Sequence, residues 1–219
     1  MKKFLLLLVV CVVHVTGIQA QLEDEGQIGW VQSDSKQSYV SFHFISHDGN
    51  PAYVKVIGPP STDPCYIPLD KMSEFRKYLQ TIYKEVVKWD KDTLKTHNGD
   101  IKERIPIKPV SVCMSTTYNL HYKEDKEIKG PCLLEATWEY YTNEKPPTGS
   151  YVAITTEIKS DENPDGYNRF KIWLTLDEIN FILKKIINPD EIFKWENHVT
   201  MRSMERNRNA MDMNRRLRY

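Results

Sequence analysis

Hydrophobic positions recur along this chain with two periods, and Arg169 to Asn188 (RFKIWLTLDEINFILKKIIN) passes from one to the other. Phe170, Ile172 and Leu174 alternate with Arg169, Lys171 and Trp173, which is the two-residue period of a strand buried on one face. Thr175 and Glu178 then stand three apart, the spacing at which each side chain satisfies the other's free backbone N–H. Ile179, Ile182, Leu183 and Ile186 follow at helical spacing, so the stretch predicts a strand turning directly into an amphipathic helix. Asn188-Pro189 ends that helix, because proline disfavours helical backbone in the residue before it.

The same two periods organise the rest of the chain. Residues 21–27 read as a polar lead-in and Gly29 to Gln32 as a short strand. Ser38 to Ser46 predicts a clearer strand, with Val40, Phe42 and Phe44 on one face and Tyr39, Ser41 and His43 on the other. His47-Asp48-Gly49-Asn50-Pro51 carries turn chemistry, and Ala52 to Ile57 returns as the hairpin partner. After a proline-rich loop, Cys65 to Pro68 predicts a short strand, and Asp70 is placed to cap a long helix. Met72, Phe75, Leu79, Ile82, Val86 and Trp89 mark that helix's buried seam, which ends before Asn98-Gly99. Ile105 to Met114, Leu133 to Tyr141 and Ser150 to Ile158 predict three further strands, the last with Val152, Ile154, Thr156 and Ile158 inward. Loops are expected at 143–149 and 160–167.

Two parallels suggest a duplication. Leu69-Asp70 with Met72, Phe75 and Leu79 lines up with Leu176-Asp177 followed by Ile179, Ile182 and Ile186, and Tyr53-Val54 lines up with Tyr151-Val152. The expected fold class is α+β, antiparallel sheets with two packed helices in two ββββα units. The halves span 28–98 and 101–198, inside a domain of residues 21–198. This element order, with the strand-to-helix junction YIPLDKMSEFRKYL, resembles the PUR-repeat domain, in which two such units intertwine; the resemblance implies an architecture over residues 28–188. In PUR-repeat domains the sheets can bind single-stranded nucleic acid.

Composition changes this picture at the two ends. Lys2 and Lys3 precede a nearly unbroken apolar run from Phe4 to Val15, with Ile18-Gln19-Ala20 before Gln21. That is the pattern of a signal peptide over residues 1–20 cleaved before Gln21, and it predicts export to the periplasm or the extracellular space. No later run is long enough to cross a membrane as a helix. Taking Lys2 and Lys3 from 30 basic residues leaves 28 against 30 acidic ones, a net of −2. A near-neutral chain has no bulk attraction to nucleic acid, so the expected partner is a protein or a glycan. Residues 199–219 read separately as a basic tail. Arg202, Arg206, Arg208, Arg215, Arg216 and Arg218 stand there against Glu205 and Asp212, a candidate grip on anions such as polysaccharide, nucleic acid or lipid head groups.

Candidate chemistry is sparse. The strand face opposite the core carries Tyr39, Tyr53, Tyr141, Tyr151 and Trp173, rings suited to stacking on a ligand or to pairing with each other across strands. Asp161, Asn163, Asp165 and Gly166 match the first half of a calcium loop, but the twelfth position is Ile172 where the closing glutamate is needed. After residue 20 three cysteines remain: Cys65, Cys113 and Cys132. Cys113 and Cys132 flank a hairpin centred near Tyr122 symmetrically and are the candidate bridge; an odd count also allows none. Histidines 43, 47, 97, 121 and 198 are scattered. No HExxH, GxSxG, phosphate-binding or dinucleotide glycine pattern occurs, so neither catalysis nor a cofactor is expected.

Three functions follow as expectations. The first is an exported, non-catalytic interaction module using the aromatic sheet face. The second is an anion-binding protein using the arginine tail, and the third is an enzyme without a recognisable motif. For the core assignment, replacing Phe75 or Ile182 by Asp is expected to unfold the protein, since each change buries an unpaired charge. A circular-dichroism melt matching the parent's would refute it.

Overall fold

The computed structural model describes residues 22–33, 38–93, 99–115, 118–119, 124–125, 128–142, 149–159 and 167–216. The expected signal peptide, the calcium-loop residues Asp161, Asn163 and Asp165, the hairpin tip near Tyr122 and Arg218 lie outside them.

The first half runs β1 (Leu22–Ser33), β2 (Ser38–His47), β3 (Asn50–Ile57), β4 (Cys65–Pro68) and helix α1 (Met72–Thr93). The lead-in is therefore not separate: β1 begins at Leu22, because pairing with β2 extends from Leu22↔His47 to Ser33↔Ser38. The β2–β3 turn places Asp48 at φ 51° and Gly49 at φ 74°, the double left-handed conformation for which Asp-Gly is suited. Asp70 does not cap α1 directly. It lies within a 3-10 turn, Leu69–Lys71, that leads into the helix.

The second half runs β5 (Ile101–Arg104), β6 (Val110–Ser115), the small ribbon β7 (Tyr118–Asn119) and β8 (Glu124–Asp125), β9 (Ile128–Tyr141), β10 (Gly149–Lys159) and β11 (Tyr167–Leu174). The continuous strand expected over 105–114 is broken. Pro106 and Pro109 have no N–H to give, so β5 and β6 lie one after the other along the same edge of β9. The Ile105 N–H still reaches the Ala136 carbonyl at 2.9 Å across the gap. Counting β5 and β6 as one interrupted strand, each half is four antiparallel strands followed by a helix, in an α+β fold.

The predicted helix after β11 forms with both hydrogen bonds of its capping box: the Thr175 N–H donates to Glu178 at 2.6 Å and the Glu178 N–H to Thr175 Oγ1 at 3.3 Å. It is α2 (Leu176–Phe181), continued by a π turn (Ile182–Ile186). Asn188 then does two jobs. Its Nδ2 donates to the Lys184 carbonyl and its Oδ1 accepts from the Glu191 N–H, so it closes one helix and caps the next. With Pro189 at the first helical position, α3 (Pro189–Arg216) runs on without a break through residue 199, where the basic tail was expected to begin. The described residues thus hold three helices, not two.

The three helices and the strands of the large sheet share one core. Val40, Phe42, Phe44, Val54, Phe75, Ile82, Leu134, Trp138, Ile154, Phe170, Ile172 and Ile182 are buried in it, as their periods predict. The helices cross between halves. Trp89 of α1 lies 5.5 Å, ring to ring, from Trp138 of β9, while Ile186 of the π turn packs on Gly29 of β1.

The three cysteines of the described residues are free thiols. The candidate bridge is absent because β9 places Cys132 opposite Val112 on the core face, whereas Cys113 sits at a register shift on the other face. Burial pushes the Cys65 thiol well above its ordinary range and raises Cys113 and Cys132 too, which suppresses thiolate reactivity.

The β3–β4 loop covers the open edge of β11. The Asp63 N–H donates to the Arg169 carbonyl at 2.8 Å, and the Arg169 N–H donates to Asp63 Oδ2 at 2.9 Å. A Cβ on Gly58 would meet Ile172 Cγ2 at 2.8 Å and the Lys171 carbonyl at 3.2 Å. Gly58→Ala is therefore expected to cost about 1–3 kcal/mol through overpacking. Urea titration would show a lower midpoint at unchanged slope, and an unshifted midpoint would mean the loop yields freely.

Candidate functional site

The candidate site grows from the alternation of β9. Trp138 points into the core, so Glu139 faces the opposite side of the sheet, yet it is only 2% exposed. Its neighbours are set by register: Lys102 of β5 on one side and Tyr151 of β10 on the other, with Trp173 of β11 beside Ala153 one strand further out. A buried carboxylate costs several kcal/mol unless it is paired and hydrogen-bonded. Glu139 is both. Tyr141 Oη donates to Glu139 Oε2 at 2.7 Å and Trp173 Nε1 donates to the same oxygen at 3.0 Å, while Lys102 Nζ stands 3.5 Å from Oε1.

The electrostatics follow from that geometry. Burial alone would raise the Glu139 carboxyl, but the two hydrogen bonds and the Lys171 and Lys102 charges outweigh it and hold it below the usual glutamate range. Tyr141 moves the other way. Burial, the bond to Glu139 and that carboxylate's charge push its hydroxyl up to about 12. Lys171 Nζ sits 4.2 Å over the Trp173 ring, and the Tyr141 and Tyr151 rings lie 6.2 Å apart.

Along the same face the cluster gives way to a polar groove of about 410 Å³ lined by Leu133, Glu135, Thr155, Glu157, Arg169 and Lys171. Arg104 pairs with Glu135, and Arg169 with Glu157 at 3.1 Å. All four side chains are half-exposed or more, so these pairs contribute little stability. Their effect is to set carboxylates on β9 and β10 between basic side chains on β5 and β11. A larger hollow of about 620 Å³ between β1 and α2, lined in part by Trp30, Val31, Phe181 and Ile186, is mostly apolar and brings fewer polar groups together.

The five aromatic residues expected on one sheet face fall into three places. Tyr141, Tyr151 and Trp173 meet around Glu139. Tyr53 instead packs edge-on to buried Tyr66 at 6.0 Å, with Lys55 over the Tyr66 ring. Tyr39 packs edge-on to exposed Trp30 at 5.4 Å near the β1 edge. Glu139 itself went unnoticed in the sequence. Its one signal is an acidic residue on the same strand face as Tyr141, between Trp138 and Tyr140.

The arginine tail is also divided. Arg202 pairs with Glu25 at 2.6 Å and Arg206 with Glu23 at 2.8 Å, tying α3 to β1. Arg208 is exposed on the helix; the backbones of Arg215 and Arg216 complete it, and their side chains lie outside the described residues. Among the described residues no group of three or more His, Cys, Asp or Glu is placed to hold a metal, and no helix is long and apolar enough to cross a membrane.

Glu139→Gln keeps the shape and removes the charge. Two of the causes that raise Tyr141 weaken with it, so its titration, followed by NMR of ring-labelled tyrosine, is expected to move down from about 12 toward the ordinary value near 10. Because the Glu139 carboxyl is lower folded than unfolded, its stabilisation is complete above the ordinary glutamate range. It is lost as pH falls through the depressed folded value. The variant's acid-unfolding curve should be flatter there; an identical curve would mean the carboxylate contributes nothing.

Compared with models of known protein families and with characterised proteins, the chain matches none.

Proposed function

We propose that this chain is an exported, non-catalytic binding module, acting in the periplasm or outside the cell, and that its ligand is a glycan held on the outer face of β9, β10 and β11. One observation carries the reading. Two half-buried rings, Tyr141 and Trp173, backed by buried Tyr151, stand next to a groove that carries acids on β9 and β10 and bases on β11, on the sheet face opposite the core. A sugar offers apolar C–H faces that stack on rings and hydroxyls that take donors and acceptors alike. Glu135, Glu157, Arg169 and Lys171 supply both kinds, already oriented by the strands.

The charge balance argues against a phosphate backbone as the ligand. Glu135, Glu139 and Glu157 offset Lys102, Arg104, Arg169 and Lys171 to within one charge, whereas nucleic-acid affinity rests on a local excess of positive charge. The arginine tail supplies less anion-binding capacity than its composition suggests, since Arg202 and Arg206 are engaged with Glu25 and Glu23. Export is supported by the basic start and apolar run of residues 1–20. Four strands and a helix met twice, with the helices crossing between halves, support reading the domain as a duplicated unit similar to the PUR repeat.

Titration calorimetry of residues 21–219 against a panel of neutral and acidic oligosaccharides tests the reading. At least one is expected to bind, and Trp173→Ala is expected to weaken it by roughly tenfold or more, equivalent to ~1.4 kcal/mol. A silent panel, or a bound sugar indifferent to Trp173, would discard this face as the ligand surface.

A further inference from the structure

The outward side of α3 repeats an apolar pattern that the fold leaves uncovered. Ile192, Trp195 and Val199 seat the helix on the body, where Trp195 stacks on Phe44 at 5.9 Å. At 100° per residue, Phe193, Met204 and Met211 fall on the opposite side with Met201 close by. All four are exposed, between 59% and 65%. From Met204 to Met213 every residue is exposed, so apart from the Arg206–Glu23 pair this end of the helix has little of its surface covered by its own domain. Large apolar side chains aligned in water along one side of a helix forgo the burial that would stabilise them and mark an interaction surface. The stripe calls for a partner.

Charge selects which partner. Over residues 189–198, Asp190, Glu191 and Glu196 outnumber Lys194. Past Glu205, where Arg206 is already engaged with Glu23, Arg208, Arg215 and Arg216 outnumber Asp212. The helix is therefore acidic at its start and basic at its end. An anionic membrane would meet the acidic half as well as the basic one, which disfavours it. A second copy running in the opposite direction sets each acidic end against a basic end and places Met201 and Met204 near the middle. A parallel copy would set like against like.

We infer that α3 is a self-association helix: two copies of this chain pair through it, antiparallel, along Phe193, Met201, Met204 and Met211. The interface is separate from the sheet face of β9 to β11, so a dimer presents two such faces.

Analytical ultracentrifugation of residues 21–219 across the micromolar range, with Met204→Glu/Met211→Glu alongside, tests this. The parent is expected to reach the mass of a dimer, and the double variant to raise Kd by roughly tenfold or more. Both positions are exposed, so its thermal unfolding should match that of the parent monomer. Orientation is read by charge. Asp190→Arg/Glu191→Arg is expected to weaken association, and adding Arg208→Glu, Arg215→Glu and Arg216→Glu to restore it. A parent that stays monomeric, or a dimer that ignores both methionine changes, would overturn the inference. So would co-sedimentation of a monomeric parent with phosphatidylglycerol vesicles, which would assign the stripe to a lipid surface.

Discussion

The two halves of the sheet are joined by very little backbone. Strand β4 is four residues long, and its register with β6 comprises two residue pairs, Cys65↔Met114 and Tyr66↔Cys113. A seam that short cannot hold two four-stranded sheets together, so the halves depend on what crosses between them. Helix α1 leaves the first half and ends on Trp138 of the second, and the π turn after α2 returns to Gly29 of the first. The β3–β4 loop adds a third crossing along β11. Because α1 and the π turn bury apolar side chains of both halves in one continuous core, neither half has a complete core of its own.

This arrangement sets where ligand chemistry can sit. Helices occupy the inner face, leaving the outer face of β9 to β11 as the place where polar side chains from three strands converge. The buried Glu139 organises that surface. Its carboxylate takes up the Tyr141 hydroxyl and the Trp173 indole N–H, fixing two rings at the cost of desolvating one charge, and Lys102 and Lys171 offset that cost. Rings held in one geometry before a ligand arrives lose less entropy on binding, which suits such a pin to the recognition role proposed for this face.

Helix α3 stands apart from both. It is anchored by Asn188 at its start and by Arg202 and Arg206 against β1, then continues beyond the body with its apolar stripe outward. The anchoring pairs fix the direction of the helix, and so decide which side meets solvent. Glu25 is almost wholly buried and is also bonded to the Ser46 hydroxyl at 2.6 Å, so its pair with Arg202 sits in a drier setting than the usual surface ion pair.

The sequence by itself determined the elements whose causes are local. The Thr175–Glu178 box, the Asp48-Gly49 turn, the Asn188-Pro189 stop and the inward sets Val40, Phe42, Phe44 and Val152, Ile154, Thr156 depend only on neighbours along the chain, and they form as read. Pairing decided the rest. A strand from Leu22 was hidden in a polar stretch because its reason to exist is β2, not its own hydrophobicity. Register separated Cys113 from Cys132, scattered Tyr39 and Tyr53 away from Trp173, and brought Lys102, Tyr141 and Trp173 around Glu139 from three strands. Arg202 and Arg206 read as a free basic tail until their partners Glu23 and Glu25, nearly two hundred residues earlier, were in place. Local periodicity specifies which face of an element is apolar, but only long-range packing specifies what that face, and its opposite, will meet.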